Sequence, residues 1–260
     1  MTQTENISAQ VAAANHKANG SKAIAPYFVA AMMAGIFIGL AGIFMLTAGG
    51  PLRLAGSPFA SLIEGGVFGI GLILCIFAGG ELATSAMMIL PVALLEKKVA
   101  LGPAARAFTL MLLGNLAGAI LLSALVLGSG IMDPHATPGQ ALAALVAAKA
   151  HKTGASLFFR AILCNILVCL AMWSVTRTKS DVAKMILMAW AMAAFVGSGM
   201  EHVVANMTTF SLGILHGVDH GTFTEAGRNL SIVLLGNITG GALFVGLTQW
   251  YAAKTEKVAH

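Results

Sequence analysis

The chain has 260 residues, of which 58% are hydrophobic and 10% charged, and its mean hydropathy is +0.86. Soluble globular domains are about a quarter charged, so this composition excludes that class and points to an integral membrane protein. The formal charge of +5 does not argue for a nucleic-acid partner, because the basic residues are scattered through short loops and form no patch.

Residues 1–25 are polar and lack the apolar core and small-residue cleavage site of a secretory signal, so they are read as a retained cytoplasmic segment, helix or tail. Apolar runs then follow at Pro26–Ala48, Ser61–Leu95, Ala107–Gly128, Ser156–Val175, Val182–Leu215 and Leu230–Tyr251. A helix needs roughly 20 residues to cross a bilayer core, so an all-α fold of six transmembrane helices is expected, in one membrane domain from 26 to 252. A short cytoplasmic tail, 253–260, would complete the chain. The second and fifth runs are too long for one straight crossing: about 34 residues make a rod of about 50 Å, so both must bend or break.

Orientation follows from the basic residues of the loops. One side collects Lys17, Lys22, Lys97, Lys98, Arg106, Arg177, Lys179, Lys184, Lys254 and Lys257, the other Arg53, Lys149, Lys152, Arg160 and Arg228. This ten-to-five bias places both termini in the cytoplasm. The three cysteines, Cys75, Cys164 and Cys169, fall inside apolar runs without metal-ligand spacing and read as small buried hydrophobes. No metal or cofactor is expected.

Each overlong run carries glycines and a glutamate near its middle. The second contains Gly79-Gly80-Glu81-Leu82-Ala83-Thr84 and the fifth Gly197-Ser198-Gly199-Met200-Glu201-His202. A charged side chain at membrane depth costs at least roughly 2.5–3.5 kcal/mol, so such residues face cavities and work there. An internal repeat links the two places: Leu112-Leu113-Gly114-Asn115 in the third run matches Leu234-Leu235-Gly236-Asn237 in the sixth. Three crossings per half make the halves inverted, with a site expected near the midplane where the breaks meet. A half-helix beginning at a break presents free N–H groups and a positive dipole end, which favours a small anion.

His202 is the one histidine inside an expected span, and as a hydrogen-bond or proton donor it suits a weak-acid anion. Glu201 and Glu81 are expected to accept hydrogen bonds from the N–H groups freed at their own breaks, with Gly79, Gly197 and Gly199 forming the turns. Thr84 and Asn165 offer side chains that both donate and accept. Lys149, in the long loop ahead of the fourth span, is placed to draw anions into an entrance. Phe68, Leu72 and Phe195 precede the breaks and are candidates for an apolar constriction.

At these residues the chain resembles the formate/nitrite transporter family from about Pro26 to Tyr251. The segments that carry the resemblance are Ala194-Phe195-Val196-Gly197-Ser198-Gly199-Met200-Glu201-His202-Val203-Val204-Ala205-Asn206-Met207, Ala78 to Ser85, Cys164 to Trp173, and Gly236 to Gly241. The resemblance implies a homopentamer of aquaporin-like protomers in the inner membrane, each with its own pore. It implies that His202 and Thr84 meet at the pore centre, that Asn165 lies beside them and Lys149 in the outer vestibule, and that Leu82 and Val168 join the constrictions. It implies a transported small monovalent anion: nitrite by the likeness of Leu167 to Trp173 and Ala205 to Leu212 to the nitrite branch, with formate or hydrosulfide as alternatives and protons as possible companions. Ala83 departs from the bulky residue many members carry there, which would widen the inner constriction.

Two other classes fit less well. An aquaporin-like neutral-solute channel would need paired Asn-Pro-Ala breaks, and the sequence has none. A membrane haem enzyme would need facing axial histidines, and only His202 lies in a span. A channel or transporter, not an enzyme, is the expectation.

Overall fold

The computed structural model describes residues 2–258, with side chains to Thr255; the end of the tail expected at 253–260 lies outside them. The described residues form twelve α-helices and one π-helical segment, with no strand among them. An N-terminal helix α1 (Gln3–Gly20) precedes the first crossing, α2 (Ile24–Leu54). The second crossing is divided into α3 (Ala60–Phe68), α4 (Ile70–Phe77) and, after a break, α5 (Ala83–Leu95). Helix α6 (Leu101–Ser129) returns, and α7 (Thr137–Ala150) lies between the halves. The second half repeats the plan with α8 (Gly154–Val175), α9 (Asp181–Gly197), a break, α10 (Val203–Leu215), and α11 (Phe223–Thr239), which continues through the π-helical segment Gly240–Leu247 into α12 (Thr248–Val258).

Five of these helical stretches are long and apolar enough to cross a membrane: Ile24–Leu54, Ala60–Phe77, Leu101–Ser129, Gly154–Val175 and Phe223–Thr255. The remaining crossing is shared by α9 and α10, of 17 and 13 residues, neither of which spans alone. Several ends fall beyond the expected limits; α2, for example, starts at Ile24 and runs to Leu54 through Pro51. The stretch around Lys149, expected as loop, is the helix α7, with Pro138 in its first turn.

The packing is pairwise and repeated. Helix α2 lies along α6 in the first half, and α8 along α11 in the second. Small residues let the backbones touch, as membrane helix pairs require. A Cβ on Gly118 would fall 2.0 Å from the Met32 carbonyl oxygen, and one on its repeat equivalent Gly240 would fall 2.4 Å from that of Ile162. The sequence repeat therefore marks two equivalent crossings, and its asparagines lie one turn from the point of closest approach.

Both breaks have the same local chemistry. Two residues beyond the end of α4 stands Gly79 at φ +84°, and two beyond the end of α9 stands Gly199 at φ +65°, conformations that L side chains rarely adopt. Beyond each, an amide returns five residues: Gly80 N–H donates to Cys75 O at 2.7 Å and Met200 N–H to Phe195 O at 3.0 Å. This is the Schellman pattern, which terminates a helix while satisfying its last carbonyls. Gly197, expected as part of the turn, is instead the last residue of α9. Extended residues follow, with Leu82 and His202 as N-caps of α5 and α10. Two half-helix N-termini thus meet inside one bundle.

Candidate functional site

A break leaves an N–H and a carbonyl that hydrocarbon cannot satisfy, and each must find a partner in the protein. The partners are the repeat asparagines. Asn115 Oδ1 accepts from Ala83 N–H at 3.0 Å, while its Nδ2 donates to Glu81 O at 2.9 Å and Ala31 O at 2.8 Å. In the second half Asn237 Oδ1 accepts from Val203 N–H at 2.9 Å, and its Nδ2 donates to Glu201 O at 3.0 Å and Ala161 O at 2.8 Å. Both asparagines are fully buried.

This corrects the expected role of the two glutamates. Neither carboxylate accepts from the amides freed at its break. A carboxylate can only accept, whereas a break needs an acceptor and a donor together, which one primary amide provides. The glutamates hold cations instead. Glu201, 1% exposed, takes Lys149 Nζ at 2.7 Å, Lys152 Nζ at 3.3 Å and Asn206 Nδ2 at 2.7 Å. Glu81 takes Lys17 Nζ from α1 at 2.5 Å and the Tyr27 hydroxyl at 3.4 Å.

Lys149 is therefore no solvated loop lysine. It is buried in the last turn of α7 and committed to Glu201. Lys152, between α7 and α8, shares that carboxylate; burial depresses its pKa below the usual lysine value, with Glu201 opposing the shift. Glu201 and His202 both lie in the extended break, not in a helix.

His202 and Thr84 are brought together, with His202 Nε2 and Thr84 Oγ1 2.9 Å apart. The backbone fixes the roles. Ala205 N–H donates to His202 Nδ1 at 3.1 Å, so Nδ1 carries a lone pair. The neutral ring then bears its proton on Nε2 and donates it toward Thr84 Oγ1, leaving the threonine hydroxyl hydrogen free to point elsewhere. An imidazolium would have to give up the Ala205 bond, because two donors would then face each other.

Asn165 also sits at this junction, though not as an anion ligand. Its Nδ2 faces Asn237 O at 2.7 Å, Thr84 O at 3.2 Å and Met87 Sδ at 3.3 Å. Only Oδ1 has no partner, and an acceptor oxygen repels an anion. Asn165 ties α5, α8 and the last turn of α11 into one unit.

A cavity of about 210 Å³ runs from Arg53, Lys152 and Arg160 at the α7 end to Phe68, Phe195 and His202. Phe68 and Phe195 pack edge to face with ring centroids 5.5 Å apart, and Phe195 stacks on His202 at 5.7 Å. Leu72, Leu82 and Val168 belong to the same buried apolar cluster but do not line the cavity, and neither does Thr84. The path is therefore open from the α7 face down to the aromatic pair and closed beyond it. The N-termini of α5 and α10 converge on the closed point, where both dipoles favour negative charge.

Sequence reading recovered the breaks and the His202–Thr84 pair but missed Asn115, Asn237, Asn206, Lys17 and Lys152. For the two repeat asparagines a signal existed, since polar amides stood at matching places in apolar runs. For the lysines there was none, as Lys17 lies 64 positions from Glu81 and Lys152 49 positions from Glu201.

The comparisons with known proteins agree with one another. Residues 4–251 match the family described as formate/nitrite transporter. The nitrite transporter NirC of Salmonella typhimurium is 38% identical over 236 residues, covering 90% of this chain and 86% of that protein. The formate channel FocA of Haemophilus influenzae is 33% identical over 263 residues, covering 93% and 91%. Among solved structures, one described as an FNT family ion channel superposes with a TM-score of 0.88 at 36% identity, covering 96% of this chain and 99% of that one. A second, described as a pentameric formate channel with formate bound, gives 0.76 at 31% identity, covering 89% and 98%.

Proposed function

Given that the chain belongs to the formate/nitrite transporter family, we propose that it carries nitrite across the inner membrane through a pore in each protomer of a homopentamer. The observation that carries this reading is the His202 Nε2–H and Thr84 hydroxyl pair at 2.9 Å, set where two half-helix N-termini converge and reached through a basic cavity. The nitrite relatives are the more similar in sequence, at 38% against 33% for the formate channel. Both termini are cytoplasmic in this reading, so the α7 face is the outer one, in line with the ten-to-five bias of basic residues.

Passage follows from the geometry. An anion enters the outer cavity, sheds water against Phe68 and Phe195, and exchanges the lost hydration for donors aimed at the closed point. When the Thr84 hydroxyl turns away, His202 Nε2–H donates to the anion while the Ala205 amide keeps Nδ1 occupied. The neutral ring acts as a hydrogen-bond donor; surrendering its last proton would leave an imidazolate. A proton that accompanies the anion must therefore enter with it or displace the Ala205 bond. No bond in the substrate is made or broken.

Nitrite flux into proteoliposomes, measured by electrode or stopped flow, tests the reading. Wild type is expected to give saturable flux that His202→Leu reduces by about tenfold to a hundredfold, the loss of one donor where no water can replace it. Equal flux in both would remove His202 from the pathway, and absent nitrite flux with formate flux intact would reassign the substrate.

A further inference from the structure

The inverted repeat makes the two ends of the pathway comparable residue by residue, and at one position they differ in kind. Each break leans on the first crossing of its half. Glu81 N–H donates to Ala30 O at 3.1 Å, and Glu201 N–H donates to Arg160 O at 3.3 Å. The next residue of each helix, Ala31 or Ala161, accepts from the repeat asparagine. Ala30 and Arg160 are therefore equivalent positions. One ends in a methyl group and the other in a guanidinium.

The guanidinium is fixed in place. Arg160 Nη1 donates to Gly199 O at 2.6 Å and Nε donates to Ser156 Oγ at 3.2 Å. Gly199 is the left-handed residue of the break that leads to His202, so side chain and main chain of Arg160 grip the same turn from two points. Its group also lines the outer cavity. The other cations of that wall each have a carboxylate: Arg53 is paired with Glu64, and Lys149 and Lys152 with Glu201. Among the described residues of the wall, Arg160 is the cation with no carboxylate partner. Of its five N–H groups two are engaged, which leaves one on Nη1 and both on Nη2.

We propose that Arg160 is the outer docking residue of the pore, receiving a bent two-oxygen anion on the free edge of its guanidinium before the anion meets Phe68, Phe195 and His202. This rests on the transport reading above and adds to it a residue and a sidedness. The chemistry is that of the planar fork, which matches the paired oxygens of nitrite or formate as an ammonium cannot. At the inner end the equivalent place holds the methyl group of Ala30, and the guanidinium found there, Arg106, is turned onto Ser21 Oγ and Ala18 O of the α1 end. A passive pore cannot gain a net direction from one docking site, because the ratio of maximal flux to KM must be equal from both sides at equilibrium. What the site changes is saturation: flux from the Arg160 face is half-maximal at lower anion concentration than flux from the α1 face.

The test compares nitrite flux in right-side-out and inverted membrane vesicles for wild type, Arg160→Gln and Arg160→Lys. Expected are a lower KM from one face in wild type, a rise of about tenfold on that face alone in Arg160→Gln, the worth of one bidentate ion pair, and partial recovery in Arg160→Lys. If Arg160 only braced Gly199, Arg160→Gln would lower maximal flux equally from both faces and leave KM unmoved, and that result overturns the proposal. Binding is read separately, without flux. Nitrite should raise the unfolding midpoint of detergent-purified wild type above that in sulfate at equal ionic strength, and should raise that of Arg160→Gln, which keeps only the His202 donor, by less. Equal shifts in both proteins overturn the docking site; wild-type binding without flux overturns the transport reading alone.

Discussion

At His202 the backbone decides what the ring can do. Because the Ala205 amide occupies Nδ1, the neutral imidazole is committed to the Nε2–H form, and Thr84 Oγ1 is its resting acceptor at 2.9 Å. In the transport reading proposed above, the threonine is a placeholder for the anion: it satisfies the ring when no substrate is present and frees it when one arrives. Thr84→Val keeps the volume and removes the acceptor, leaving a buried donor unsatisfied at a cost of about 1–3 kcal/mol. Such a variant is expected to bind the anion more tightly and release it more slowly, with KM and maximal nitrite flux falling together. An unchanged KM in proteoliposome flux would show that the threonine does not compete with substrate. Lys152 gives a second residue-scale expectation, through pH. Its folded pKa lies below the ordinary lysine value because it is half-buried. As pH rises it therefore loses its charge before an exposed lysine would, and the outer cavity loses part of its attraction for anions. The external KM for nitrite should rise toward alkaline pH in wild type and stay flatter in Lys152→Arg, whose guanidinium keeps its proton. Parallel curves for the two would exclude Lys152 as the titrating group. The same depression means that the unfolded chain binds more protons in that window, so folding stability gains slightly as pH rises through it.

The half-helices are held by their repeat asparagines, and that predicts where the elements are weakest. Asn237 satisfies Val203 N–H and Glu201 O and adds a second bond to Ala161 O of the α8 ladder, so one substitution strands two buried backbone groups. Asn237→Leu is expected to destabilise by about 2 kcal/mol or more, at roughly 1–3 kcal/mol for each of the two unsatisfied groups, with local water limiting the sum. Asn237→Asp should be no better, since it keeps the acceptor but loses both donors. Thermal unfolding in detergent, followed by tryptophan fluorescence, checks the order, and an Asp variant as stable as wild type would refute the donor role. Gly79 offers a contrast. A Cβ there would meet nothing within 4 Å, so Gly79→Ala costs only the left-handed conformation, about 1–2 kcal/mol. These devices were partly legible in the sequence. Glycines in an overlong apolar run announce a break, and the Leu-Leu-Gly-Asn repeat announces that two breaks are alike. What the sequence could not show was which polar group serves which. A glutamate in an apolar run states that it needs a partner and is silent on which, and an amide, which can donate and accept together, was the better partner for a broken backbone.

Across the whole molecule the inverted halves share a scaffold but carry different charge. At the α1 end one lysine, Lys17, faces Glu81, whose side chain is 15% exposed and is also reached by the Tyr27 hydroxyl. At the α7 end two lysines converge on Glu201, which is 1% exposed, and Asn206 adds a third hydrogen bond. Each pair joins an element outside the repeat to a break: α1 to the first, α7 and the turn after it to the second. The ion pairs thereby turn two separate helices into supports for the pore. Replacing either glutamate by glutamine keeps the shape and strands the lysines, and the stranded charge dominates the cost. Breaking a fully buried pair costs about 3–5 kcal/mol, because the remaining ion has no water. At the Glu81 end one lysine is stranded and at the Glu201 end two, and all three are mostly buried, with side chains 12% exposed for Lys17, 10% for Lys149 and 21% for Lys152. Glu201→Gln, which strands two lysines, should therefore lower the unfolding midpoint more than Glu81→Gln, which strands one. Adding Lys149→Met to Glu201→Gln should restore part of the loss by removing one of two stranded charges, whereas Lys17→Met should restore most of the smaller loss in Glu81→Gln by removing its only one. Equal midpoints for the two glutamine variants would mean that the second stranded lysine carries no cost, and the inference that Lys149 and Lys152 both depend on the Glu201 carboxylate would fall.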